Sequence, residues 1–284
     1  MTSPFRCLCC GSDQAAPFLS DCADLYLNCP GSFDYAACRE CGLVQLYPLP
    51  PDLSVFYRGY PSHQPKSIWH EKFRELLMGP GYFLPPPSPA LRVLDFGCGD
   101  GWFLRRARQR GHTVAGFEPN AGHTVELAAT SGIPIFSDAE VLREKHRGSF
   151  DLITMHFVME HLIDLHGTFA LAADLLAPNG RLRLIIPNIN CCERSIFGRK
   201  WHALDPPRHT NFLTDPTLRR MAGNEFELTE LKTLSLPNVF AASLATVLAG
   251  RYHHGLFLAL IPFGWLWAQC VRTEHLAVTF QKRV

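Results

Sequence analysis

The stretch VLDFGCGDGWFLRRA, residues 93–107, places three glycines at every second position directly behind a short apolar run. The run over 92–96 predicts a buried strand, and the run over 102–110 predicts a helix. Glycines between a strand and a helix let a ligand approach the backbone, because no side chain shields the amides at the helix start. The stretch therefore predicts a ligand-binding loop at the carboxyl end of the first strand of a sheet.

Outward from this loop, short apolar runs alternate with helical stretches. The further predicted strands are 113–117, 133–136, 150–155, 181–186, 226–234 and 276–281. The further predicted helices are 121–131, a stretch after the fourth strand through 176, and 214–222, with a turn at 177–180. Strands that alternate with helices indicate an α/β fold with a doubly wound, mainly parallel seven-stranded sheet. Such sheets bind ligands at the carboxyl ends of their strands.

Two acidic residues lie at the ends of the predicted strands at this edge. The first strand and its loop contain Asp95, Gly97, Gly99 and Gly101, and Glu118 ends the second strand. An acid at the end of the second strand can accept both hydroxyls of a ribose, so the pattern favours a nucleoside ligand. The glycine spacing differs from the dinucleotide fingerprint G-x-G-x-x-G, and the loop lacks the GxxxxGK[ST] pattern of an ATP site.

Four N-terminal cysteines form two C-x-x-C-G pairs, Cys7/Cys10 and Cys38/Cys41. Two residues between the cysteines let both sulfurs of a pair reach one tetrahedral ion, so the pairs predict a closed, structural Zn²⁺ site in a zinc ribbon. An additional cysteine, Cys9, could replace a neighbour in the first pair. The alternative is a set of thiols without a metal.

Composition restricts the partners and the compartment. The 27 basic and 26 acidic residues give a net charge of +1, which argues against a nucleic-acid partner held through its phosphates. The N-terminus has no apolar signal-peptide core, which favours a cytoplasmic protein whose cysteines are thiols or metal ligands. The predicted organisation is a zinc ribbon over 1–50, a connector over 51–89 with a helix at 67–78 and a proline-rich spacer, and a second domain over 90–284.

Several stretches of the second domain resemble the class I S-adenosylmethionine-dependent methyltransferases. They are VLDFGCGDG (93–101), VAGFEPN (114–120), SDAEVL (137–142), FDLITMHFVMEHL (150–162) and LLAPNGRLRLIIPN (175–188). The resemblance implies a Rossmann-like methyltransferase fold. The stretches CLCCGS, CRECGLVQLYPLP, FYRGY and WHALDPPRHTNFLT are similar to a bacterial subgroup with an N-terminal zinc ribbon, often associated with the methylation of sugars, polysaccharides or other small molecules. The extra Cys9 departs from that subgroup.

The resemblance implies that nine residues line S-adenosylmethionine. They are Asp95, Gly97, Gly99 and Gly101 at the methionine part, Glu118 at the ribose, Asp138 and Ala139 at the adenine, and Met155 and His156 at the methionine side of the fourth strand.

Methyl transfer is a displacement at a sulfonium methyl group, so the protein positions the acceptor and removes its proton. Histidine suits a base near neutral pH. The candidates are His209, in the stretch DPPRH (205–209), and His161 after the fourth strand, each with a structural histidine as the alternative. Arg208 could bind an anionic group of the substrate or form a salt bridge within its loop.

The segment 239–271 is strongly apolar and has no Asp, Glu, Lys or Arg over 256–271. Because Pro262 and Gly264 interrupt it, the segment is predicted to be too short and broken to span a membrane. The alternatives are a buried helical insertion, helices covering the cleft, a dimer surface, or a membrane-surface segment that meets a lipid-linked acceptor.

The sequence thus predicts a methyltransferase that uses S-adenosylmethionine and acts on a small-molecule, sugar-type (glycan) or lipid-linked acceptor with the help of a general base. A nicotinamide-dependent oxidoreductase and a non-catalytic, S-adenosylmethionine-binding docking protein are the alternatives. The acceptor, the methylated atom and the oligomeric state are left open.

Overall fold

The computed structural model describes residues 4–58 and 84–284, and the predicted connector helix over 67–78 lies outside them. The N-terminal part contains three strands and a short 3₁₀ turn over Ser54–Tyr57. The strands are β1 (Ala15–Cys22), β2 (Phe33–Cys38) and β3 (Val44–Leu46).

The remaining elements alternate between strand and helix for most of the chain. The strands are β4 (Arg92–Phe96), β5 (Thr113–Phe117), β6 (Ile135–Phe136), β7 (Phe150–His156), β8 (Leu176–Pro187), β9 (Asn211–Phe212), β10 (Phe226–Leu234) and β11 (His275–Lys282). The helices are α1 (Trp102–Gln109), α2 (Ala121–Ser131), α3 (Ala139–His146), α4 (Leu165–Leu175), α5 (Cys192–Phe197), α6 (Asp215–Ala222), α7 (Pro237–Ala249) and α8 (His254–Cys270).

Seven of these strands form one sheet in the order β10-β11-β8-β7-β4-β5-β6. The pairs from β8 through β6 are parallel, whereas β11 runs antiparallel to both β8 and β10. The prediction of a mainly parallel, seven-stranded Rossmann-like sheet is confirmed. Its central strands, β4 and β7, carry the glycine loop and the histidine stretch at their carboxyl ends.

Helices cover both faces of this sheet, and successive side chains of a strand point to opposite faces. Val93 packs with Leu104 of α1 on one face, whereas Leu94 belongs to the core that holds Phe169 of α4 on the other. A polar side chain caps the first turn of α2: Asn120 accepts the amide of His123.

A second sheet joins the N-terminal part to the rest of the chain. Its order is β1-β2-β3-β9, so a strand that follows β8 by more than twenty residues completes it. The buried hydroxyl of Tyr35 in β2 donates to the carbonyl oxygen of His209 at 2.9 Å. The N-terminal part is therefore anchored against the 205–212 loop, beside the carboxyl edge of the large sheet.

Two local expectations are corrected. The predicted turn over 177–180 lies inside β8, as an irregularity between the pairs Phe150/Leu176 and Leu152/Arg181. The prediction that Pro262 and Gly264 interrupt the apolar segment is wrong, because both lie inside α8.

The apolar segment forms an antiparallel pair, α7 and α8. A Cβ atom at Gly264 would lie 2.1 Å from the carbonyl oxygen of Pro237, so only glycine permits this approach of the helices. Within the described ranges, no helix is long and apolar enough to cross a membrane.

Candidate functional site

The glycine loop between β4 and α1 has backbone conformations that residues with a side chain rarely adopt. Gly97, Gly99 and Gly101 have φ values of 77°, 50° and 69°. A Cβ atom at Gly97 would also lie 2.6 Å from a methyl carbon of Val158. The amide of Gly97 donates to the carbonyl oxygen of Phe117 at 2.8 Å, which ties the loop to the end of β5.

Glu118 follows β5 and reaches this loop. Its carboxylate accepts the amides of Gly99 at 3.3 Å and Asn120 at 3.2 Å, and the residue is only 5% exposed. The predicted ribose-binding acid and the glycine loop therefore lie side by side. Contact with a ribose stays a prediction.

Asp95, at the end of β4, is buried beside the same loop. Its carboxylate accepts the hydroxyl of Thr154 in β7 at 2.8 Å. Burial raises the pKa of Asp95 to about 7, although the Thr154 hydroxyl opposes the shift; the nearby carboxylates of Asp100 and Glu118 add to it. A cation placed beside Asp95 would reverse this shift.

The other predicted cofactor residues end β7 or follow β6. Asp138 caps α3 by accepting the amides of Glu140 and Val141, and Ala139 is the first residue of that helix. Met155 packs in the core. His156 is buried with its ring centroid 5.0 Å from that of Phe103, and burial lowers its pKa to about 3. Their cofactor contacts stay predictions.

The two predicted catalytic histidines, His161 and His209, meet in space. Their ring centroids are 4.6 Å apart, in an edge-to-face arrangement. Burial, followed by the neighbouring His161, lowers the pKa of His209 to about 3, and burial also lowers the pKa of His161. Both rings are therefore neutral near pH 7, and His209 holds a transferred proton only weakly.

Glu160 completes this group. One ligand atom from each of Glu160, His161 and His209 can be chosen so that all three lie within 4.8 Å of one another. The two histidines are 48 positions apart, and the 3₁₀ turn over Met159–His161 and the loop before β9 bring them together. The hydroxyl of Tyr57, from the connector, lies 3.1 Å from Nδ1 of His161.

Arg208 forms a buried salt bridge. Its side chain is fully buried, and its guanidinium donates to the carboxylates of Asp24 at 2.8 and 2.9 Å and of Asp205 at 2.5 and 3.0 Å. Of the two alternatives, the structure has the salt bridge. Sequence reasoning missed Asp24, because 184 positions separate it from Arg208 and no local pattern marks the pair.

The four N-terminal cysteines converge as predicted. Cys7 and Cys41 have sulfurs 3.4 Å apart, Cys10 and Cys38 have sulfurs 3.5 Å apart, and all four lie within 4.8 Å. Sulfurs bound tetrahedrally to zinc at about 2.3 Å are about 3.8 Å apart, so the two shortest separations lie within a few tenths of an ångström of the value for Zn²⁺. Cys9 is outside this group of four.

A glycine loop and a neighbouring acid, at the carboxyl edge of a sheet with one antiparallel strand, define a nucleoside-binding fold of the class I methyltransferase type. Residues 68–231, more than half of the chain, match the model of a family described as a methyltransferase domain. The chain belongs to this family. The resemblance to the class I S-adenosylmethionine-dependent methyltransferases is confirmed, whereas the zinc-ribbon subgroup stays a prediction.

Two curated relatives carry methyltransferase names. A malonyl-[acyl-carrier protein] O-methyltransferase of Serratia marcescens is 25% identical over 218 residues, which cover 71% of this chain and 79% of that protein. A ubiquinone biosynthesis O-methyltransferase of Rhizobium etli is 32% identical over 101 residues, or 34% of this chain. The match spans only 41% of the length of the second relative.

A solved structure with the same fold is a protein from Pyrococcus horikoshii OT3. Its TM-score is 0.50 at 15% sequence identity, and the match covers 82% of this chain and all of that one. At this identity the likeness shows the fold.

Proposed function

We propose that this chain transfers the methyl group of S-adenosylmethionine to an oxygen atom of a small-molecule acceptor. The observation that carries the proposal is the contact of Glu118 with the glycine loop, at the edge where β4 and β5 end. Both relatives described above are O-methyltransferases by name, which favours oxygen as the methylated atom.

The proposed cofactor contacts follow from this geometry. Glu118 would accept the ribose hydroxyls, and the glycines would let the methionine part approach the backbone. Asp95 would compensate the positive charge of the amino group, because its carboxylate is buried near two further acids, Asp100 and Glu118. Asp138 and Ala139 would flank the adenine, and Met155 and His156 the methionine side.

The acceptor would lie near His161 and His209, which follow β7 and precede β9 at the same edge. S-adenosylmethionine supplies an electrophilic methyl group there, and the chain positions the acceptor and excludes water. The class of acceptor stays proposed as a sugar, a lipid-linked molecule or another small molecule.

The first test is calorimetric titration of the purified chain with S-adenosylhomocysteine and, in parallel, with NADH. We expect micromolar binding of the first alone, and at least tenfold weaker binding by Glu118→Ala. Glu227→Ala, an exposed acid on β10, is the control and should bind as the unaltered chain does. Binding of NADH alone would assign the site to an oxidoreductase, and binding of neither would favour a docking protein.

The N-terminal cysteines are proposed to hold one structural Zn²⁺ in a ribbon over 1–50. Burial raises the pKa of Cys38, but the amides of Cys41 and Glu40 outweigh it and lower the pKa to about 7, whereas burial raises the pKa of Cys7 and Cys41. A thiolate at neutral pH is the form that binds metal. Metal analysis of Cys38→Ser and of the unaltered chain should differ by one zinc per chain.

Contact with a membrane surface is proposed for the segment 239–271. Phe263, Trp265 and Leu266 on α8 are each at least half exposed, and Arg251 and Arg272 flank the helix. This combination suits the interface of an anionic bilayer. The chain should float with anionic liposomes, and Trp265→Glu should reduce the bound fraction; flotation without any bound protein would contradict the proposal.

A further inference from the structure

The group formed by Glu160, His161 and His209 has the donor set of a metal site. Glu160 is 2% exposed, and neither of its carboxylate oxygens has a hydrogen-bond partner in the described part of the chain. An ionised carboxylate placed in this way loses its hydration without compensation, which is unfavourable in a protein interior. A positively charged ligand bound to this carboxylate would compensate for the lost hydration.

The hydrogen bonds of the two histidines set their tautomers. Nδ1 of His209 lies 2.8 Å from the carbonyl oxygen of Ala203, and Nδ1 of His161 lies 3.1 Å from that of Arg208. Because a carbonyl oxygen only accepts, Nδ1 of His209 carries the proton and its Nε2 carries the lone pair. Nδ1 of His161 also lies 3.1 Å from the hydroxyl of Tyr57, and when this Nδ1 donates to the Arg208 carbonyl its Nε2 carries the lone pair as well. Backbone carbonyls that hold Nδ1–H in this way are the usual support of histidines that bind metal through Nε2.

The surrounding charges also favour a divalent cation. Asp24 and Asp205 together carry one negative charge more than Arg208, with which both are paired. Binding of a cation would ionise Glu160 and so add a second negative charge to the same buried region. A divalent cation between Glu160 and the histidines would balance both charges.

We propose that Glu160, His161 and His209 bind a divalent transition-metal ion of the Zn²⁺ class. Two imidazoles and one carboxylate suit this class better than Mg²⁺ or Ca²⁺, which prefer oxygen ligands throughout. Three protein ligands leave a coordination position open, as in catalytic rather than structural zinc sites.

The proposed metal site adds a means of activating the acceptor to the proposed methyl transfer. Its catalytic role rests on that proposed function. An acceptor hydroxyl bound at the open position would have a lowered pKa and would release its proton to solvent water near neutral pH. Its oxygen would then form the bond to the methyl carbon as the carbon–sulfur bond breaks and S-adenosylhomocysteine leaves. The two histidines would then act as ligands rather than as bases, which agrees with their buried, neutral rings.

The test is the metal content of the full chain after incubation with Zn²⁺ and removal of the excess. We expect Glu160→Gln to hold one zinc fewer per chain than the unaltered protein, and His209→Ala to do the same. The difference is independent of the metal at the four cysteines. His254→Ala, which changes an exposed histidine of α8, is the control and should keep the full content.

Further measurements distinguish loss of the metal from loss of the fold. Glu160→Gln has nearly the same shape as the original side chain, and its near-ultraviolet circular dichroism and binding of S-adenosylhomocysteine should match the unaltered chain. Zn²⁺ should raise the melting temperature of the unaltered chain more than that of Glu160→Gln. Equal zinc content and equal melting shifts in the two proteins would overturn the metal site, while intact binding of S-adenosylhomocysteine would leave the proposed methyl transfer standing.

Discussion

Replacing Asp24 by alanine removes one half of the charge pairing that joins the N-terminal part to the 205–209 loop. Asp24 accepts two hydrogen bonds from Arg208 and one each from the amides of Tyr26, Leu27 and Cys29. Both charged side chains of the Asp24–Arg208 pair have no exposed surface. Asp205 still neutralises Arg208 in the variant, but two guanidinium hydrogen bonds and three amide hydrogen bonds lose their buried acceptor. Each buried donor left without an acceptor costs about 1–3 kcal/mol, so we expect a total loss of about 3–5 kcal/mol in the free energy of unfolding.

The pKa of Asp24 gives an independent measure of part of this loss. Burial raises the pKa, but the hydrogen bonds and charge of Arg208 outweigh it and lower the pKa from 3.8 to about 2. The difference corresponds to about 2 kcal/mol of stability. Because the folded-state pKa is lowered, this contribution is present above pH 3.8 and disappears as the pH falls through about 2. The amide hydrogen bonds supply the remainder.

The assay is urea unfolding of Asp24→Ala and of the unaltered chain at pH 7, followed by tryptophan fluorescence. A matched control is Asp151→Ala, because Asp151 pairs with Arg92 in the same two-contact geometry but at the surface. Exposed pairs contribute little, so the control should cost about 1 kcal/mol or less. Equal losses in the two variants would refute the reasoning that burial makes the Asp24–Arg208 pair important.

Three further predictions concern the glycine loop, its acid and the cysteines. Gly97→Ala should lose stability and bind S-adenosylhomocysteine at least tenfold more weakly, because the added Cβ atom would collide with Val158. The control is Gly148→Ala, which has a similar φ but open space around it and should keep full binding in the same titration. Binding of S-adenosylhomocysteine should weaken as the pH falls below about 7, because protonation of Asp95 removes the negative charge that pairs with the ligand's amino group. Calorimetry between pH 5.5 and 8 measures this dependence, and binding by Asp95→Asn should lack it. Prolonged treatment with a strong chelator should lower the melting temperature of the chain, and calorimetric scans should show its recovery with Zn²⁺; an unchanged melting temperature would argue against a structural zinc at the cysteines.

Local patterns in the sequence were sufficient for much of the α/β framework. The strand over Arg92–Phe96 and the helix over Ala121–Ser131 have the predicted bounds, because their signals are short-range: an apolar run with a following glycine, and an asparagine cap with a closing glycine. The place of the glycine loop and Glu118 followed from the same signals, since parallel strands end at one edge of a sheet. The cysteine pairs were also recognisable, because metal-binding spacing is itself local.

What the sequence predicted wrongly or left open depended on packing between distant segments. Pro262 was expected to break a helix, but α8 continues through it while packed against α7, and Gly264 permits that contact. The role of Arg208 depended on Asp24, a partner that periodicity cannot reveal. The pairing of β3 with β9 depended equally on contacts that close a long loop.

The sequence by itself determined the class of fold, the position of the glycine loop and the likeness to class I methyltransferases, because hydrophobic periodicity and turn residues act over a few positions. Only the tertiary structure brought Glu160 and His161 beside His209, and buried the carboxylate of Glu160 without a partner in the described ranges. Burial, charge balance and ligand geometry are properties of side chains that meet across the fold. Their chemistry therefore became visible only once the chain had brought them together.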